Sequence, residues 1–218
     1  MTTASQSPPV AAGESAPDFE LPAVAGSETI SLGDYRGRSP LFLALMIGLW
    51  CPFCRRQLIR LSAMEGKLKT LGVETLAVVA TEAENARLYF RYRPTQLRLA
   101  ADPALTTHRA YRVPKPEPTP EMLEAMQEIR VNPTGELPEP LPVREAAMAL
   151  EKIGGYVCNA TDQADVERQW PQLKAFYMID RGGIVRWADI ECGTEGLPGI
   201  GKFPSEEEIL DAARACAA

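Results

Sequence analysis

The chain has 218 residues, 45% apolar and 24% charged, with 23 basic against 29 acidic side chains and a formal charge of −6. That length fits one large domain with enough apolar material to close a core without disulfide staples. The acidic balance offers no basic field to hold a polyanion, which argues against nucleic acid or an anionic membrane as a partner.

The first stretch, Met1 to Gly13, is polar and rich in Ala and Pro. It reads as a flexible tail over residues 1–12, ahead of a single domain over 13–218. It carries no Lys or Arg and no apolar segment, so it does not read as a signal peptide, and the first arginine, Arg36, comes too late for a transit peptide. The longest apolar run, Leu41–Trp50, is about half the length needed to span a bilayer. A cytoplasmic location follows as the expectation.

Ala16-Pro17-Asp18-Phe19-Glu20-Leu21 begins ordered structure, and Glu28–Leu32 alternates like a short strand. Leu41–Ile47 is continuously apolar and predicts a buried central strand. Trp50-Cys51-Pro52-Phe53-Cys54 follows, with Pro52 suited to the first turn of a helix. Leu58, Leu61, Met64, Leu68 and Leu71 recur at helical spacing up to a stop at Gly72. A strand over Val73–Ala80, a helix over Glu82–Arg93, a strand over Leu97–Ala100 and a short helix over Ala104–Tyr111 come next.

Composition then shifts. Eight of the 19 prolines lie between Pro114 and Pro142. They flank one helical stretch, Glu121–Arg130, and a second follows at Arg144–Ile153, closed by Gly154-Gly155. Residues 113–172 therefore read as a surface insertion, too proline-rich and short to hold a core of its own. Ala175–Asp180 and Ile184–Ile190 predict a hairpin about Arg181-Gly182-Gly183. Ser205 with Glu208 spells a capping box for a final helix. The fold class expected is α/β: a mixed central sheet with helices on both faces, plus a Pro-rich, partly helical insertion.

Five cysteines, Cys51, Cys54, Cys158, Cys192 and Cys216, are an odd number and do not form a secreted disulfide framework. The close pair carries the chemistry. It follows a buried strand, so it sits at the carboxyl edge of the sheet, where α/β proteins place their sites. A thiol at a helix start meets unsatisfied N–H donors and partial positive charge, both of which favour a thiolate. Arg55 and Arg56 lie one turn on and add positive charge. The two-residue spacing lets Cys54 close a disulfide in one turn, with Cys51 as nucleophile and Cys54 as resolving thiol. Trp50 and Phe53 form an apolar rim. The bland alternative, two merely packed cysteines, leaves the proline and the strand-to-helix setting unexplained. The rival from another class is a non-catalytic module, holding Cu(I) or Zn through the dithiol or making protein contacts. A zinc site normally shows a second close Cys/His pair, and the chain has one histidine, His108.

At these residues a resemblance appears. Trp50-Cys51-Pro52-Phe53-Cys54-Arg55 resembles the redox motif of the thioredoxin superfamily. Gly13-x-x-Ala16-Pro17-Asp18-Phe19-x-Leu21 resembles the opening of its redoxin group, the peroxiredoxins and the alkyl hydroperoxide reductase/thiol-specific antioxidant proteins. Phe176–Arg181 with Gly183 resembles that group's late strand and hairpin. The likeness covers most of 13–112 and 173–216, and the insertion has no counterpart in it. It implies a thioredoxin-like fold and a thiol–disulfide oxidoreductase or thiol-dependent antioxidant. The implied partners are a disulfide or peroxide substrate and an external thioredoxin- or glutaredoxin-type donor. No nucleotide or flavin motif is visible, so no cofactor is expected.

The departures carry information. Peroxiredoxins place a proline seven residues, and a hydroxyl-bearing residue three residues, before the peroxide-attacking cysteine. Here these positions are Ala44 and Gly48. An arginine usually precedes the late strand; here it is Lys174, which keeps the charge and loses the planar fork. Thioredoxin-type reductases carry a cis-proline at that place, and Pro171 is three residues early. Disulfide exchange is therefore expected to outweigh peroxide reduction. The supporting residues expected around the dithiol are Trp50, Pro52, Arg55 and Lys174.

Other signals point elsewhere. Gly196–Phe203 nearly spells a phosphate-binding loop, but Phe203 stands where Ser or Thr would hold magnesium, so a plain glycine-rich loop is expected. His108 reads as a surface or capping residue of a short helix. Cys158 is a second resolving thiol only if the insertion folds over the site, Cys192 reads as packed, and Cys216 as a free thiol near the chain end.

Overall fold

The computed structural model describes residues 7–217. Residues 1–6 of the expected tail lie outside the described residues. The rest of that tail needs correcting from Val10 onward. Val10 is buried and donates its N–H to the Tyr111 carbonyl, and Gly13 donates to Val185, so this stretch is bound to the domain.

In chain order, β1 (Glu20–Pro22) and β2 (Thr29–Ser31) form an antiparallel pair, with Leu21 opposite Ile30. Strand β3 (Leu41–Met46) leads to α1 (Pro52–Thr70), β4 (Glu74–Val79), α2 (Ala83–Tyr92), β5 (Arg98–Ala101) and α3 (Thr106–Ala110). The proline-rich segment holds α4 (Pro120–Glu128), a two-residue strand pair β6 (Arg130–Val131) and β7 (Leu141–Pro142), then α5 (Val143–Gly154) and α6 (Ala160–Gln169). The chain closes with β8 (Ala175–Ile179), β9 (Val185–Ile190) and α7 (Glu206–Ala217). The Ser205–Glu208 capping box is present at the start of α7.

The main sheet runs β5-β4-β3-β8-β9, parallel through β3, β4 and β5 and antiparallel at β8 and β9. β3 lies in the middle and is buried at every position, because both faces of the sheet are covered. Alternation divides its side chains between two cores. Phe42, Ala44 and Met46 pack with Leu58, Leu61 and Leu68 of α1 and Ile209 of α7. Leu41, Leu43 and Leu45 pack with Leu21 and Ile30 of the β1–β2 hairpin and with Tyr111 after α3.

The segment 113–172 does not simply lie on the surface. Val143, Ala146 and Leu150 of α5 enter the same core as α1. Helix α6 lies over the carboxyl ends of β3 and β4, where Gln169 reaches the Gly48 N–H and the Ala80 carbonyl.

Candidate functional site

The site is built at the carboxyl end of β3, where the chain leaves the sheet and must turn into α1. Gln169, fully buried, organises this turn. Its Oε1 accepts the Gly48 N–H at 2.7 Å and the Trp50 indole N–H at 2.9 Å, and its Nε2 donates to the Ala80 carbonyl. Gly48 has a steric reason. A Cβ there would come within 2.5 Å of the Trp50 ring and 2.8 Å of Gln169 Oε1. A hydroxyl-bearing side chain therefore has no room while Trp50 and Gln169 hold their places.

Cys51 is the N-cap of α1 and Pro52 opens the first turn, where its missing N–H has no helical partner to lose. The Cys51 sulfur accepts the Cys54 backbone N–H at 3.2 Å. Both thiols are buried. Lys174, at the entry to β8, is also buried and pairs with the buried carboxylate of Glu191, just past β9. Glu191 is fixed further by the Lys174 N–H at 3.2 Å and the Gly201 N–H at 2.8 Å.

These contacts separate the two thiols. Burial opposes charging Cys51, yet hydrogen bonding from Cys54 and the charge of Lys174 outweigh it and bring the thiol down to about 7. Burial, the hydrogen bond to Cys51 and the charge on Cys51 all push Cys54 well up. Burial alone would lower Lys174, but Glu191 and the two thiols raise it, so its ammonium stays charged.

Above Cys51 opens a cavity of about 490 Å³. Trp50, Phe53 and Lys174 line it on the dithiol side; Met122 and Met126 of α4 and Val143 of α5 line it from the proline-rich segment. Pro171, three residues early in sequence, also lines it, and the Trp170–Pro171 peptide is cis. The glycine-rich loop is a plain loop with a single tight turn at Leu197–Gly199. Gly201 lies against Phe53, where an added Cβ would meet the ring at 3.3 Å.

Several expectations need correcting. Arg55 does not face the thiols: its guanidinium donates to the Leu49 carbonyl and stacks 4.4 Å above the Tyr156 ring. It holds the turn and α5–α6 loop together, and Lys174 is the cation that acts on Cys51. His108 is fully buried, not at the surface, and burial pushes it down to about 4. Cys158 lies outside the cavity lining and faces Glu151, with burial and that carboxylate raising it to about 11. Burial and Glu191 raise Cys192 to about 12. Among the described residues no group of three or more Cys, His, Asp or Glu is placed to hold a metal ion, and no helix is long and apolar enough to cross a membrane. Gln169 and Glu191 were not found by sequence reasoning; neither stands in a motif, and each reaches the site across the fold.

Solved structures share this architecture. A 2-Cys peroxiredoxin from Plasmodium vivax, in its reduced form, aligns with a TM-score of 0.58 at 16% identity, over 95% of this chain and 82% of that one. A peroxidoxin, BcpB, from Mycobacterium tuberculosis aligns with a TM-score of 0.56 at 12% identity, over 94% and 97%. A protein designated a thiol:disulfide interchange protein DsbE from Chlorobium tepidum gives 0.52 at 20% identity, over 95% and 98%. At these identities the likeness concerns the fold, which is thioredoxin-like. The comparison with curated proteins gave no match. The AhpC/TSA family model matches residues 12–188, from the bound N-terminal stretch through the dithiol helix to β9, and the chain belongs to that family as a peroxiredoxin-like redoxin.

Proposed function

We propose that the protein is a thiol–disulfide oxidoreductase in which Cys51 attacks and Cys54 resolves, and that it reduces disulfides in preference to peroxides. The observation that carries this reading is the Cys51 sulfur at the helix start, accepting the Cys54 N–H beneath an open cavity and beside buried Lys174. The family supports thiol-dependent redox chemistry of this general kind.

In the proposed cycle the Cys51 thiolate attacks a substrate sulfur, the substrate S–S bond breaks, and one thiol leaves with a proton. Cys54 then loses its proton, attacks the Cys51 sulfur and releases the second thiol. The protein ends as a disulfide, two electrons poorer, and an external dithiol of the thioredoxin or glutaredoxin type restores it. A reducing cytoplasm suits that cycle.

Peroxide cleavage needs donors aimed at the leaving oxygen. Gly48 supplies no hydroxyl, and Lys174 is a point charge already engaged by Glu191. Losing one such donor costs about 10²–10³ in rate. Stopped-flow oxidation of the reduced protein by hydrogen peroxide, run beside oxidation by a disulfide, tests the reading. Peroxide should react near the rate of an unassisted thiol and the disulfide much faster. A peroxide rate several orders of magnitude above the free thiol overturns the preference and makes the protein a peroxidase.

A further inference from the structure

We propose that the cavity over Cys51 selects small disulfides bearing one apolar arm, and that helix α4 is the element that selects them; this rests on the dithiol reading above. Several separate stretches wall the cavity, among them the Trp50–Phe53 turn, α4, the start of α5, the segment from Trp170 to Lys174, and the loop at Leu197 and Ile200. Walls on several sides make a well that takes one substituent, with the nucleophile at its floor. Its volume, about 490 Å³, is that of a small-molecule site.

The deep lining offers little to a charged substituent: Lys174 and Glu191 are held by each other, and the Gln172 amide donates to the Pro114 carbonyl at 2.9 Å, while the polar side chains of Gln127 on α4 and Arg144 on α5 are exposed. Against these stand Trp50, Phe53, Met122, Met126 and Val143. A polar arm seated among these apolar side chains would leave its water without finding partners there, whereas an apolar arm gains from every methylene it seats. The two methionines stand four positions apart on one face of α4 and adapt to arms of different shape. No side chain of α4 is fully buried, and Met126 packs against the edge of the core shared with α1 while also lining the cavity.

The chemistry is the exchange already written. Cys51 attacks the sulfur carrying the apolar arm, 2-mercaptoethanol leaves with a proton, and Cys54 then expels the apolar thiol as the protein disulfide forms. Mixed disulfides of 2-mercaptoethanol with alkyl thiols from ethyl to octyl keep the leaving-group chemistry nearly constant while the arm lengthens. The probe is the second-order rate at which each oxidises the reduced protein. The rate should climb about three- to fourfold for each methylene until the well is full. The double variant Met122→Gln/Met126→Gln should flatten the climb, cutting the octyl-to-ethyl rate ratio by about tenfold or more. A more severe pair, Met122→Glu/Met126→Glu, should invert it.

A flat series in the wild type overturns the proposal, as does a variant that slows short and long arms alike. So does a flat series alongside a faster, methionine-dependent reaction with an unfolded protein disulfide, which would make the occupant a polypeptide side chain. If no member oxidises the pair while Cys51 still alkylates, the dithiol reading itself fails, and this inference with it.

Discussion

The sulfur of Cys51 occupies the place that a Ser or Asp side chain takes at other helix starts, accepting the N–H three residues on. A thiolate caps better than a thiol, so helix start and acidity reinforce each other. Alkylation of Cys51 by iodoacetamide should rise with pH about a midpoint near 7, while Cys54 stays unlabelled until the protein unfolds. Replacing the buried pair by Lys174→Met/Glu191→Gln removes an attraction larger than the repulsion it also removes, so the midpoint should move up. An unmoved midpoint would leave the helix start alone as the cause. His108 gives a second residue-scale test. Its folded-state value, about 4, lies below the unfolded value near 6.5, so the unfolded chain binds more protons between them. Its contribution is complete above 6.5 and is lost as pH falls toward 4, about 3 kcal/mol in all. Denaturant unfolding from pH 7 to 4 should show His108→Leu losing less stability than the wild type over that window. Equal losses would mean that the histidine is solvated. The dithiol stood out as a candidate by its spacing, and Lys174 only through the family resemblance. Glu191 and Gln169 were not legible in sequence, because a lone acid after a strand and a lone amide at a helix end carry no local signal.

At the scale of elements, the sheet and its helices follow from apolar periodicity and fall within a few residues of the expected spans. Helix α6 escaped for a physical reason. Its buried face is polar, with Asp162, Asp165 and Gln169 turned inward, so the apolar spacing that reveals α1 is missing. Its capping box at Asn159 and Asp162 holds the helix start, and Gln169 at its end braces the turn before the dithiol. Gln169→Ala would leave the buried Gly48 N–H without a partner and should cost about 1–3 kcal/mol. It should also slow disulfide exchange while leaving the pH midpoint of Cys51 near 7. Gly48→Thr puts a side chain into the Trp50 and Gln169 contacts and should cost about 1–3 kcal/mol. It should not restore fast peroxide reduction; a gain in peroxide rate would show that the hydroxyl alone was lacking.

For the whole molecule, the proline-rich segment is the distinguishing feature. Its composition suggested a surface addition, because prolines hide the few apolar anchors among them. In the fold those anchors, Val143, Ala146 and Leu150, share a core with α1 and β3. The segment should therefore unfold with the rest. Denaturant transitions followed by tryptophan fluorescence and by far-UV circular dichroism should coincide, and Leu150→Ala should lower both by about 2–5 kcal/mol. An early separate transition would make the segment an independent lid. The central claim, that Cys51 attacks and Cys54 resolves, is met most directly by trapping. Cys54→Ser, reduced and exposed to a disulfide substrate, should accumulate a mixed disulfide that peptide mass analysis places on Cys51, whereas Cys51→Ser should accumulate none. A mixed disulfide held by Cys54 in the Cys51→Ser protein, or one formed on Cys158 or Cys192 in place of this pair, would contradict the account.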